Sequence, residues 1–501
     1  IRRPPRSTQS RSSAASDVYK RQLLAIIQFA TPAPVGTDGY YHMRMAALIR
    51  ERGLKPEFVW LPLTILNPDE YYNHHLLYHV TLAALVPALP GTPPSDAALI
   101  AGAKAASVII PALAFWAIWQ LLRDQGVTWA WLWTWGLFAV SDAFLFRMSM
   151  VRAQAASLLI LALALGWLLQ GRHWPLIPLG FAYVWTYDAF PLLLVVGGAV
   201  AGAILLAEGR LEWRAVVFPL IGIALGLVFN LYFPRNLAFI VQHLLPKVGG
   251  TETGLGNEWF PYETWTLVEN SAGALAAFAL ATFALGWRGQ RMNTATLAAL
   301  ALAVIFGLLL FKARRFVEYY PAFALIFLAL SAGPLLAGWV ERAGHARWLG
   351  PAILALLMTA PLAYTVIRAR ATLADQRPAS DLAEAARWLR DHTPPGSLVF
   401  QTDWDDFPRL FFYNTANVYT LGLDVTYMSQ YDPALYDEWV DITRGRVEQP
   451  SRLIRADFGA SYVVTDLAHG PFLARAADDP GLREVYRDQD AAIFEVLPAA
   501  P

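Results

Sequence analysis

"NTATLAALALAVIFGLLLFKARRFVEYYP", residues 293 to 321, decides the fold. From Asn293 to Phe311 it carries no charge, which approaches the ~20 apolar residues a helix needs to cross a bilayer. Three cations then arrive within four positions, Lys312, Arg314 and Arg315. Similar apolar runs begin near Ala97, Val127, Ala153, Pro175, Pro191, Ala215, Ser271, Val317 and Trp348. With a shorter one after Gln22 they predict a polytopic α-helical membrane protein of about eleven spans.

Composition agrees with that class: 16% of residues are charged, 19 are Trp and the mean hydropathy is +0.38. Lys+Arg and Asp+Glu both number 39, so no basic excess points to nucleic acid. Cys is absent, which excludes disulfides, thiolate metal sites and cysteine nucleophiles. Residues 1–22, "IRRPPRSTQSRSSAASDVYKRQ", lack apolar periodicity and the apolar core of a signal peptide. Their end, "DVYKRQ", is similar to a translated sequencing-library adapter. The segment is expected to be foreign to the protein and to have replaced most of its first apolar run.

Alternating the spans puts the short loops around Arg123, Arg172, Arg210/Arg214, Arg288/Arg291 and Arg342/Arg347 on one face, which the positive-inside rule makes cytoplasmic. The other face then receives residues 34–96, 141–152, 185–190, 233–270, 312–316 and the tail. The expected organisation is a membrane domain over 23–370, with outer loops 34–96 and 233–270, and a small extracytoplasmic α/β domain over 371–501. In that tail strand-like "SLVF", "NVYTLG" and "SYVVTDL" alternate with helical "SDLAEAARWLRDH" and "YDPALYDEWVDITRG".

The outer face gathers the unusual polar residues. "TDGYYHMR" (37–44) puts Asp38 and Arg44 where the chain leaves an apolar segment, and "WLPLTILNPDEYYNHHLLYH" (60–79) adds Asp69, Glu70, His74, His75 and His79. His75 and His79 would share a helix face, as two ligands or as two core histidines. "FRMSMVR" (146–152) brings Arg147 and Arg152, and "PKVGGTETGLGNEWFPYETW" (246–265) brings Glu252, Glu258 and Glu263. A single arginine at a span end can snorkel to headgroups. Three cations on the outer face fit an anionic ligand better, and guanidinium forks match phosphate oxygens.

In order, "DGYYHMR", the arginine of "FRMSMVR", "NEWFPYETW", "RRFVEYYP" and "ARWLRDHTPPGSLVFQTDWDDFPRLFFYN" (386–414) resemble the catalytic subunit of oligosaccharyltransferases and, more broadly, the GT-C glycosyltransferases that use polyprenol-linked donors. In that family a helix, a strand and a WWDYG motif follow one another; here "DWDDF" (403–407) stands in its place. The resemblance implies transfer of a sugar from a polyprenyl-(pyro)phosphate donor to a protein or glycan acceptor, outside a prokaryotic plasma membrane. It implies catalytic roles for Asp38 and Glu258, a donor-phosphate site from Arg314, Arg315, Arg44 and Arg147, and acceptor contacts from Trp404, Asp405 and Asp406.

Two departures qualify what is carried over. The family's second acidic motif should follow Arg147, where "SMVRAQAAS" (149–157) has Gln154 and no carboxylate, and the acceptor motif is altered. A divalent cation such as Mg²⁺ or Mn²⁺ would have Asp38 and Glu258 as ligands, with His74 or His75 as softer substitutes, so metal dependence is expected to be weak or absent. The alternatives are a transporter or flippase, which would set charges at mid-span, and a non-catalytic scaffold of the same fold.

Overall fold

The computed structural model describes residues 18–89, 91–249, 256–289, 291–343 and 348–498, and the chain divides into two compact units. The first unit holds residues up to Thr31, Lys104–Phe229 and Glu258–Gln376. Residues 18–28 are helical and overlap the segment expected to be foreign; Leu24 and Ile27 are buried.

Among the described residues five helices are long and apolar enough to cross a membrane: Asp96–Asp124, Thr264–Trp287, Thr294–Lys312, Tyr320–Arg342 and Leu349–Ala374. Asp142–Ser149 and Gln154–Leu169 meet at 107° and count as a sixth if they are one broken span. Other apolar runs make shorter helices. Leu176–Thr186, Leu192–Glu208 and Arg214–Val228 have 11, 17 and 15 residues, or about 16, 26 and 22 Å against a hydrocarbon layer of about 30 Å. The run from Val127 divides into Ala130–Trp133, a 3-10 segment Thr134–Phe138 and then Asp142–Ser149. By length and composition five or six spans qualify among the described residues, and the expected count of about eleven is not confirmed.

Small residues set the close packing of the short helices, as in other membrane bundles. A Cβ on Gly222 would collide with the carbonyl of Ile177, and one on Gly197 with that of Ala215. The broken pair matters most for function. Ser141 caps the first arm by accepting from the Phe144 N–H at 3.0 Å, and the chain turns extended at Met150. Arg147 thus sits on one arm and Arg152 in the elbow.

The second unit holds Pro32–Ala103, Asn230–Asn257 and the chain from Arg377. Its five-stranded sheet comprises β1 (Leu398–Gln401), β2 (Val418–Tyr419), β3 (Tyr462–Asp466), β4 (Leu482–Arg487) and β5 (Ala491–Val496), in the order β2-β1-β3-β5-β4. β1 runs parallel to β2 and β3, whereas β5 is antiparallel to β3 and β4. Phe400, Val463, Ile454 and Phe494 make the core on the sheet. The helices Ala383–His392 and Pro433–Thr443 occupy the predicted positions.

The outer loop 34–96 folds with this tail. Helix Asp38–Arg52 buries Tyr40 and Tyr41 against Phe412 and Phe411, with ring centroids 5.4 and 6.0 Å apart. The parallel strands β1 and β3 point their carboxyl ends, Thr402–Asp406 and Asp466, to one side of the sheet, where open α/β sheets bind ligands.

Candidate functional site

In the first unit, one carboxylate collects three guanidinium groups. Glu258, in the 3-10 turn Asn257–Trp259, accepts from Arg147 Nη2 at 2.8 Å and Arg152 Nη1 at 3.2 Å, and Arg315 Nη1 lies 3.3 Å from its other oxygen. Burial pushes the Glu258 carboxyl up, but Arg152, Arg315 and Arg147 outweigh it and hold the group well below the usual carboxylate range. Arg147 Nε also donates to Glu318 at 2.8 Å. Glu318 is 0% exposed, and burial, only partly offset by Arg147 and Arg315, raises its carboxyl. Arg315 is fixed further by Tyr187 Oη at 2.6 Å and by the Trp259 ring, 4.2 Å below its guanidinium.

The two arginines of "KARRF" therefore separate. Arg314 faces the loop instead of the cluster. Its backbone N–H and Nη2 donate to Phe260 O at 2.9 Å and Pro261 O at 3.2 Å, and its guanidinium lies over Tyr262 at 5.4 Å. The loop's other glutamates differ as well. Glu263 caps the helix that follows by accepting from the Thr266 N–H at 3.1 Å, and Glu252 lies outside the described residues.

In the second unit, Asp38 opens its helix beside the "DWDDF" stretch. Thr37 Oγ1 donates to Asp405 Oδ2 at 3.3 Å. Burial, then the neighbouring charges of Asp38 and Asp403, push the Asp405 carboxyl up to about 6. Asp406 is buried and is raised well above the usual range by burial, Asp403 and Asp466, with Arg377 3.8 Å away as counter-ion. At the end of β3, Asp466 accepts from His469 Nδ1 at 2.6 Å. Trp404 is half-buried, packs on the sheet core and stands 3.9 Å from where a Cβ on Gly256 would be. A carboxyl that changes charge near neutral pH is suited to take or give a proton.

Arg44 is committed elsewhere in this unit. Its Nε donates to Phe412 O at 2.8 Å, its guanidinium lies 5.0 Å over that ring, and Asp96 is 3.5 Å away. It ties the outer-loop helix to the tail. His74 and His75 have centroids 4.2 Å apart within an aromatic group containing His42, Tyr78 and Phe239. His79 joins that group through a 2.7 Å contact with His42 Nδ1.

The residues present do not fit a hard-ion cage. Among the described residues no three carboxylates bring oxygens within 4.8 Å of one another. Glu258 is engaged by arginines, and Gln154, in the stretch after Arg147 where a second acidic motif was expected, is 1% exposed with a neutral amide that has no hydrogen-bond partner. Mg²⁺ and Mn²⁺ require several anionic or hydrated oxygens.

Sequence reasoning passed over three members of the arginine cluster. In the sequence Arg152 reads only as a span-end cation, and Tyr187 and Glu318 suggest no role. Glu318 did leave a signal, a carboxylate embedded in "FVEYY" next to a span, where an unpaired charge is costly.

No protein-family model and no curated protein matches the sequence. Solved structures do. The archaeal oligosaccharyltransferase AglB from Archaeoglobus fulgidus, in complex with an inhibitory peptide and a dolichol-phosphate, matches with a TM-score of 0.65 at 15% identity over 94% of this chain and 71% of that one. ArnT from Cupriavidus metallidurans bound to undecaprenyl phosphate matches at 0.61 and 15% over 99% of both chains. The arabinofuranosyltransferase AftD from Mycobacteria matches at 0.58 and 16% over 97% of this chain and 42% of that one. The chain has the GT-C glycosyltransferase fold.

Proposed function

We propose that this chain is a membrane glycosyltransferase that moves a sugar or oligosaccharide from a polyprenyl-(pyro)phosphate donor to a protein or glycan acceptor at the outer face of a prokaryotic plasma membrane. The observation that carries it is the convergence of Arg147, Arg152 and Arg315 on one carboxylate. That arrangement of forks matches the oxygens of a leaving phosphate. The dolichol-phosphate and undecaprenyl phosphate bound by two proteins of the same fold support it. The membrane topology proposed with it has about eleven crossings, several of them made by the short helices, and puts both sites outside.

In the reaction the bond between the sugar's anomeric carbon and the phosphate oxygen breaks, its electron pair leaves with the phosphate, and a new bond forms to the acceptor. The arginines neutralise the departing phosphate. Asp38 takes the acceptor's proton or orients the acceptor, with Trp404, Asp405 and Asp406 on the acceptor side. Apolar grooves between spans hold the prenyl chain. The test is transfer from a defined polyprenyl-phosphate sugar in proteoliposomes, by the wild-type chain and by Arg152→Gln and Arg315→Gln. Transfer by the former, weakened about 10- to 100-fold in each variant, is the expected result.

A further inference from the structure

Glu258 occupies the place where an anion would bind. Its two oxygens meet three guanidinium groups at 2.8 to 3.3 Å, the spacing of charge-assisted contacts that arginines make to phosphate. Arg147, Arg152 and Arg315 all converge on Glu258, and Arg147 also holds Glu318. Glu258 is also the replaceable partner. Glu318 is fully buried beneath Arg147, whereas Glu258 sits partly exposed in a three-residue turn.

We infer that Glu258 is a built-in occupant of the arginine site, that the donor's phosphate displaces it, and that this exchange releases the Glu258 carboxylate for the acceptor. The inference rests on the proposed phosphate role of the arginines and adds an order of events to it. Without donor, the carboxylate quenches the arginines and is itself unavailable. With donor, phosphate oxygens take the same donors and the turn Asn257–Trp259 is freed. Trp259, stacked on Arg315 at 4.2 Å, moves with it. A carboxylate held by arginines until the donor arrives cannot act on an acceptor first, so the donor binds before the acceptor is engaged.

The experiment measures binding of undecaprenyl phosphate and of inorganic pyrophosphate to the purified full chain in detergent. It compares the wild type with Glu258→Gln, Glu258→Asp, Glu263→Gln and Arg152→Gln. Removing a competing carboxylate should tighten phosphate binding about tenfold or more in Glu258→Gln, as loss of a charge-assisted partner does. Glu258→Asp, one methylene shorter, should fall between that variant and the wild type. Glu263→Gln, a helix cap in the same loop, should bind as the wild type does. The ligand-induced rise in Tm should be larger in Glu258→Gln than in the wild type. Saturating phosphate should change the fluorescence of the wild type but not of Trp259→Phe. Binding by Glu258→Gln equal to or weaker than wild type, with Arg152→Gln still impaired, would overturn the exchange and leave the phosphate site standing. Equal binding by wild type and Arg152→Gln would overturn both.

Discussion

Arg147 Nη2 donates to Glu258 Oε2 at 2.8 Å, a bond between residues 111 positions apart. One comes from the short arm of a broken helix and the other from a three-residue turn. Neither element is regular enough to place a side chain by periodicity, yet together they set one carboxylate against three guanidinium groups. A cation this buried without such a partner would be costly, which makes the pair a property of the fold as well as of the chemistry.

Arg152→Gln and Arg315→Gln should each weaken donor use by about 10- to 100-fold, the range for losing a hydrogen bond to a charged group. Arg315→Lys should recover only part of it, because an ammonium cannot span two oxygens. Arg314→Gln should cost much less, since its contacts are to the carbonyls of Phe260 and Pro261. Apparent KM for the donor is the measurement.

Asp38→Asn keeps the side chain's shape and removes its charge. Transfer should fall by about 100-fold or more, as for lost acid–base assistance, at unchanged expression and unchanged donor binding. Near-normal transfer by this variant in membranes would remove Asp38 from the mechanism.

Asp405 supplies a pH signature. With its carboxyl raised to about 6 by burial, Asp38 and Asp403, it is protonated below that value, so a reaction needing its anion should fall as pH drops through about 6. Asp38→Asn removes one of the raising charges and should shift that limb to lower pH; Asp405→Asn should abolish it. The folded protein holds this proton more tightly than the unfolded chain, so its contribution to stability is full below the ordinary value of 3.8 and is lost as pH rises through about 6. Asp405→Asn should therefore raise Tm near neutral pH and leave it unchanged at strongly acid pH.

Much of this was legible in the chain, and the failures have physical causes. The uncharged run to Phe311 gave its helix, and alternating apolar residues gave β1 and β3. The hairpin β4–β5 escaped because its turn, Asp488–Asp490, has no glycine and is held by Asp488 accepting from the Asp490 and Ala491 N–H groups at 2.8 Å. The bend at residues 150–153 has neither Pro nor Gly to announce it. Arg314 and Arg315 looked equivalent in sequence, but they lie in a 3-10 segment, whose three residues per turn send neighbours to different sides.

Metal dependence follows from the same geometry. Gln154 is neutral, and among the described residues no three carboxylates bring oxygens within 4.8 Å of one another. Exhaustive chelation should reduce transfer less than about twofold, where in metal-dependent sites losing even a hydrogen-bonding partner of a ligand costs about 10- to 100-fold. Full loss on chelation with recovery by Mg²⁺ or Mn²⁺ alone would show that a hard-ion site forms from other residues.

The arginine cluster is proposed to receive the phosphate a sugar leaves behind. That role is tested most directly in proteoliposomes carrying a polyprenyl-phosphate sugar labelled in both the sugar and the phosphate, in a single turnover. The wild-type chain should pass the sugar label to an acceptor and release polyprenyl phosphate in equal amount, and the Arg152→Gln/Arg315→Gln double variant should do neither. Undiminished transfer by the double variant, or movement of intact donor across the bilayer with no sugar transferred by the wild type, would contradict it.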